Sequence, residues 1–304
     1  MVWQQVLEGY DLMDDPRVTG KRVAEWLQRC GIEYVEVTTI EGEKGSTDFV
    51  KAVIPSAGHG RPLGVVGRLG GLGARPERIG FVSDGDGALT AMAVAARLGL
   101  MAGRGDRLAG DVIIATHICP NAPTRPHEPV AFMDSPVDLA TMNAQELDPA
   151  MEAVLSVDTT KGNRLCNHRG FAISPTIKEG WILKVSDDLL DVYSDVTGHL
   201  PVVLPVATAD ITPYGNDLHH INSILQPATA TTAPVVGVAI TTETAVAGCG
   251  TGATDLVAVE QAARFCIEVA KNFGAGSCAF FDPAEFDRLV ELYGPMTALQ
   301  GGGR

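Results

Sequence analysis

Two carboxylates on a glycine-rich turn stand out in residues 78–98, RIGFVSDGDGALTAMAVAARL: Asp84 and Asp86, within Ser83-Asp84-Gly85-Asp86-Gly87. The apolar run at 79–82 predicts a buried strand, and the Ala-rich run after the turn predicts a long helix. In open α/β sheets, ligands sit at the carboxyl ends of strands, where such turns lie. Packing gives no reason for two acids there. They suit a cation, a proton to be moved, or a helix N-terminus. Asp86, directly before the predicted helix, is well placed to cap it. One cap uses one side chain, which leaves Asp84 unexplained. A phosphate cradle is disfavoured, because two carboxylates repel an anion.

Polar groups also close later apolar runs. His117 and Cys119 follow the run at 111–115. With carboxylates they suit zinc, or alternatively manganese or iron(II). Equally, His117 could bond loop backbone and Cys119 could pack. His127-Glu128 offers a substrate-binding imidazole and a general base, or else a proline-bracketed surface turn. Asp158 ends the run at 154–157, and Lys161 is either its structural partner or a catalytic group. His168, Arg169 and Asn216 are substrate-binding candidates. Of the adjacent His219 and His220 at most one ligates an ion, and His220 is the candidate. His199 lies at a predicted helix end that favours an imidazolium, which gives it no site role. A Cys119 thiol beside His117 or His127 would be a separate, metal-free chemistry. There is no G-x-S-x-G elbow for a serine hydrolase.

The elements that must position these groups alternate. Helices are predicted at 18–30, 187–196, 256–273 and 283–293. Strands are predicted at 34–40, 49–54, 111–115, 154–157, 171–174, 181–185, 202–206, 235–240 and 277–281, with polar loop 210–222 and a disordered tail at 297–304. The glycine-rich stretch 63–73 is β-like and holds no G-x-G-x-x-G between a strand and a helix, so a dinucleotide site is not indicated. The pattern predicts a single α/β domain over 1–304, a three-layer sandwich with a mixed, largely parallel central sheet. In such a sheet Asp84, Asp86, His117, Cys119, Asp158 and Lys161 converge on one edge.

The 304 residues are 45% hydrophobic and 20% charged, with formal net charge -14. That acidity argues against nucleic acid as a partner. No apolar run approaches the length of a membrane span. The N-terminus does not look like a signal peptide. Six scattered cysteines, with no C-x-x-C pair, argue against a disulfide framework and a zinc ribbon. A cytoplasmic, homo-oligomeric protein is expected.

Asp84-Gly85-Asp86-Gly87-Ala88 before an Ala-rich helix, followed by Gly110-Asp111-Val112-Ile113-Ile114-Ala115, resembles the core of the MH-clan zinc aminopeptidases, the tetrahedral and glutamyl aminopeptidases in particular. The resemblance spans roughly 49–273 and implies a phosphorylase/hydrolase-like core. It implies that Asp84 is a metal-bridging aspartate, that Asp158 is a later strand-end ligand, and that Tyr214-Gly215-Asn216-Asp217 is the turn before the final unit. Gly85 stands where those enzymes carry a second carboxylate, and Cys119-Pro120 stand near the place of their Glu-Glu pair. His59-Gly60-Arg61 only echoes their His-x-Asp, and residues 241–252 hold no histidine. The whole chain resembles more closely the domain-of-unknown-function family 1177, through THICPNAPTRPHEP, DTTKGN and NHRGFAISPT.

The expectation is a metal-dependent hydrolase of an amide-type bond (peptide, lactam or similar) in a small molecule or short peptide. Metal ligands are sought among Asp84, Asp86, His117, Cys119, Asp158 and His220, with His168 as a possible substitute. Glu128 is the candidate general base, and Lys161 or Arg169 would meet a substrate carboxylate. The alternative is a non-catalytic small-molecule binding protein on a degenerate aminopeptidase scaffold.

Overall fold

A computed structural model describes residues 1–68, 70–126, 128, 131–206 and 223–300. Helices α1 (Trp3–Asp14) and α2 (Gly20–Arg29) come first. The Thr19 hydroxyl caps α2 by accepting the Arg22 N–H. Strands β1 (Tyr34–Gly42), β2 (Gly45–Ile54) and β3 (Gly60–Gly67) precede α3 (Asp86–Gly103) and β4 (Gly110–Ile118). A small ribbon, β5 (Thr124–Arg125) with β6 (Phe132–Met133), and helix α4 (Leu139–Glu146) lead to β7 (Ala153–Thr160). Short strands β8 (Gly170–Ile173), β9 (Ile177–Lys178) and β10 (Trp181–Ile182) and helix α5 (Asp187–Thr197) lead to β11 (Val235–Thr241). Helices α6 (Leu256–Gly274) and α7 (Pro283–Tyr293) follow.

Among the described residues the main sheet has the order β1-β2-β4-β3-β7-β11-β9-β10, with β8 on β11. Its centre is parallel: β4, β3, β7 and β11 run the same way, while β2, β8 and β9 pair antiparallel with it. Alternation along the strands builds two cores. Leu63, Val65, Val112, Ile114, Leu155, Val157, Val236 and Val238 pack with α1, α3, α5 and α6. Val66, Ile113, Val154, Val235 and Ala239 face the opposite side, where α4 and the 3-10 turn Ser223–Thr229 pack. The expected mixed, largely parallel sheet between helices is therefore the fold.

Helix α3 explains its own composition. Its residues 88–96 are buried throughout, because it is wedged between the sheet and α1 and α6. Small side chains let it sit that close. A Cβ on Gly87 would lie 2.5 Å from the Val157 carbonyl oxygen, and one on Gly67 would lie 2.6 Å from the Gly87 oxygen. Both positions need glycine for space.

Several predicted elements differ. Residues 79–82 form no strand. Gly80 turns the chain at φ 105°, Ile79 is 88% exposed, and Phe81 and Val82 are buried as single side chains. Val82 makes an isolated bridge to Thr251, and Val203 one to Ile173, in place of the predicted strands at 79–82 and 202–206. Residues 277–281 form no strand either. The predicted disordered tail begins with an ordered 3-10 turn, Thr297–Gln300. Gln300 Nε2 donates to the carbonyls of Ala228 and Thr231 at 3.3 and 2.8 Å. Residues 301–304 and loop 210–222 lie outside the described residues. Among those that are described, no helix is long and apolar enough to cross a membrane.

Candidate functional site

The connection from β3 through α3 to β4 runs one way across the sheet, and the next, through α4 to β7, runs back past β3. That reversal between β3 and β7 is where open α/β sheets form a ligand crevice. The charged groups are found there.

Asp84 lies on the 3-10 turn Ser83–Gly85. The turn belongs to no strand and is clasped from two sides. Asp84 N donates to the Gly248 carbonyl at 3.1 Å and Ser83 N to that of Gly250 at 3.3 Å. The Ser83 hydroxyl reaches the carbonyls of Ala247 and Gly248. From the sheet side, the Thr159 hydroxyl donates to the Ser83 carbonyl at 2.8 Å. The half-buried Asp84 carboxylate lies flat against Gly248, where a Cβ would sit 2.5–2.7 Å from its atoms.

Asp86 does not cap α3, as its position suggested. Gly85 is the N-cap residue, without a side-chain bond, and Asp86 is the first helical residue. It is fully buried, and among the described residues neither carboxylate oxygen has a hydrogen-bond partner. Lys161 Nζ stands 3.8 Å from Asp86 Oδ2, with side chains 4% and 0% exposed. Burial pushes the Asp86 pKa up to about 7. Lys161 opposes that rise, and Asp84 and Asp255 add to it. The Thr254 hydroxyl is near enough to favour the charged form, yet its oxygen is buried and bonds to nothing described. Lys161 is fixed by its neighbour: Gly162 N donates to Thr242 Oγ1 at 3.0 Å, tying the end of β7 to that of β11.

Asp158 is fully buried and accepts the Thr159 N–H at 2.7 Å. Gly67 pairs with Val157, and Arg68 N donates to the Val157 carbonyl. Arg68 and Asp158 therefore end adjacent strands on one face of the sheet. On that face Arg68, 0% exposed, ion-pairs with Glu146 at 2.5 Å and reaches Gln226 at 3.4 Å. His117 Nδ1 bonds the other Glu146 oxygen at 2.8 Å, and His117 Nε2 accepts the Gly70 N–H at 2.9 Å. Burial alone would raise the Glu146 carboxyl. The Arg68 guanidinium and His117 outweigh it and hold it below its ordinary value.

These contacts revise the expected roles. His117 has both ring nitrogens engaged, so its lone pair is committed to Gly70 rather than to an ion. Cys119 is 2% exposed and packs with Ala74, Val82, Ala122, Met133 and Cys249. Burial pushes its thiol up to about 11, which does not suit nucleophilic attack. Glu128 is exposed. Arg169 is exposed and pairs with Asp255, the N-cap of α6, at 3.0 Å. His168 is half-buried, and its carbonyl accepts the Thr241 hydroxyl. His59 precedes β3, at the opposite edge of the sheet from the strand ends. His127, Asn216 and His220 lie outside the described residues. Arg68 and Glu146 were not anticipated. The available signal for Arg68 was a lone cation inside the glycine-rich run LGVVGRLGGLG.

A zinc, manganese or iron(II) site draws three or more protein donors around one point. Among the described residues no three His, Cys, Asp or Glu side chains gather so. One of the carboxylates concerned, Asp86, already faces an ammonium. The described donor set does not fit a divalent ion.

No curated protein matches the chain in sequence. Among solved structures, the bottromycin maturation enzyme BotP is similar in fold, with TM-score 0.52 and 17% identity over 88% of this chain and 69% of that one. A Zn-dependent exopeptidase from Parabacteroides distasonis ATCC 8503 gives TM-score 0.49 and 12% identity over 89% and 97% of the two chains. The model of a family of unknown function, DUF1177, matches residues 38–303, and this chain belongs to that family.

Proposed function

We propose that this protein is a hydrolase of amide-type bonds in a small molecule or short peptide, with its centre where β3 and β7 meet the start of α3. One observation carries the reading. Asp84 and Asp86 flank the start of α3, and Asp158 lies near the end of β7, on the face of the sheet that Arg68 occupies. Asp86 is fully buried, and among the described residues neither of its oxygens accepts a hydrogen bond. Buried polar groups are as a rule hydrogen-bonded, and a buried carboxyl that is not calls for an explanation. Perturbed acids in a strand-end crevice mark sites where protons move.

In this reading Asp84, the least buried of the three, takes a proton from the attacking water and passes it to the departing amine. Asp86 sits behind it. Its pKa of about 7 lets it exchange a proton near neutrality. Such a reaction also needs positive charge at the carbonyl oxygen.

Binding without turnover is the second reading. The engagement of His117 and the burial of Cys119 favour it, because two expected reactive groups have become structural. An assay of purified protein against aminoacyl, dipeptidyl and lactam amides separates the two. Turnover that falls by about 100-fold or more in Asp84→Asn, with unchanged Tm, supports hydrolysis. Ligand-dependent thermal stabilisation by uncleaved amides supports binding. Turnover unaffected in Asp84→Asn would overturn this placement of the site.

A further inference from the structure

We propose that Lys161 is the cation of this crevice, holding the place a divalent metal would hold, and that its target on a substrate is an amide carbonyl or carboxylate oxygen. This rests on the hydrolase reading for the reaction it serves, but the charge assignment stands on geometry of its own.

The ammonium is buried at the end of β7 with the wholly buried Asp86 as its partner. At 3.8 Å the two attract without sharing a hydrogen bond, since among the described residues neither Asp86 oxygen has one. An ammonium carries three N–H donors, and Asp86 takes none of them. Lys161 thus faces a carboxyl, yet none of its donors is spent on that contact. The residues that follow it fix its position. Gly162 is bonded to Thr242 and packs so closely on residues 242–244 that no side chain would fit.

The donor chemistry points the same way. A divalent ion beside Asp86 would meet the Lys161 ammonium within a few ångströms, and like charges at that range repel strongly in a buried site. The imidazole that should assist such an ion, His117, is held between Gly70 and Glu146. The Lys161 ammonium therefore supplies at this edge what an ion supplies elsewhere.

The step balances without a redox partner. A water oxygen attacks the carbonyl carbon while its proton passes to Asp84. Negative charge grows on the carbonyl oxygen, where Lys161 N–H groups meet it. The C–N bond then breaks, and the amine leaves with the proton Asp84 held. Lys161 stays protonated throughout.

Two measurements on the full-length protein test the assignment without needing a substrate. Elemental analysis of protein purified without chelator should find zinc, manganese and iron well below one per chain, and excess EDTA should leave the Tm unmoved. Second, Lys161→Ala should melt lower than the parent, and methylammonium chloride should restore about half of that loss or more by refilling the vacated position. Sodium or tetramethylammonium chloride at equal strength should not. Stoichiometric metal whose removal lowers the Tm would overturn the proposal, while leaving hydrolysis standing in a metal-dependent form. Equal recovery with all three salts would overturn it as well. Should Lys161→Ala fail to fold, the metal analysis and EDTA melt of the parent still decide. Absence of turnover on every amide would sink the hydrolase reading and leave the cation assignment to these two results.

Discussion

A fully buried carboxyl with a raised pKa makes stability depend on pH, and for Asp86 the sign follows from that rise. The folded chain holds this proton up to about pH 7, while the unfolded chain releases it near the ordinary value of 3.8. Between those limits the native state binds the extra proton, so stability falls as pH rises, and the contribution is lost above about 7. The Tm of Asp86→Asn relative to the parent should therefore climb from about pH 4 to pH 7 and level off beyond, in melts at matched ionic strength. Parallel Tm curves would refute the burial argument. On the opposite face, Glu146→Ala strands the Arg68 guanidinium in the core. Urea denaturation should show a loss of about 3–5 kcal/mol, much of it recovered in Arg68→Met/Glu146→Leu, where no charge is left unpaired. Legibility at this scale was uneven. Asp84, Asp86, Asp158 and Lys161 stand out in the sequence because acids and a lysine closing apolar runs are chemically out of place. The Arg68–Glu146–His117 network could not, because 78 residues separate the arginine from its acid and no local spacing records such a pairing. His117 therefore read as a ligand when its two nitrogens were already taken.

At the level of elements, the helices with amphipathic faces and side-chain caps were the most readable. Helix α7 begins after Asp282, which accepts the N–H groups of Ala284 and Glu285, with proline at its start. Helix α6 is capped by Asp255 in the same manner. Apolar runs were a poorer guide. VVLPV at 202–206 and IGFV at 79–82 have strand composition, but lone bridges hold them where a ladder was expected. Burial of single side chains produces the same sequence pattern as a strand. Short α4 was missed because its polar residues show no periodic stripe. The approach of α3 to the sheet gives a sharp test. Gly87→Ala drives a methyl toward the Val157 carbonyl and the Arg68 backbone. Overpacking there should cost about 1–3 kcal/mol, read as a lower urea midpoint. The same change at Gly103, which meets nothing within 4 Å, should be neutral or stabilising.

Across the whole molecule, a formal charge of -14 repels itself when the chain is compact. Raising sodium chloride from low to physiological strength should raise the Tm, since screening reaches about 8 Å there. A Tm that falls with salt would mean that surface ion pairs outweigh the general repulsion. Fold class was legible at this scale, because alternating strand and helix patterns leave few architectures open. One last consequence concerns how Asp84 is moored. Its turn hangs from residues 247–250, more than 160 positions further along the chain, and from a single hydroxyl on β7. A substitution that loosens residues 247–250 should therefore disturb Asp84 from a distance, through the backbone bonds to Gly248 and Gly250.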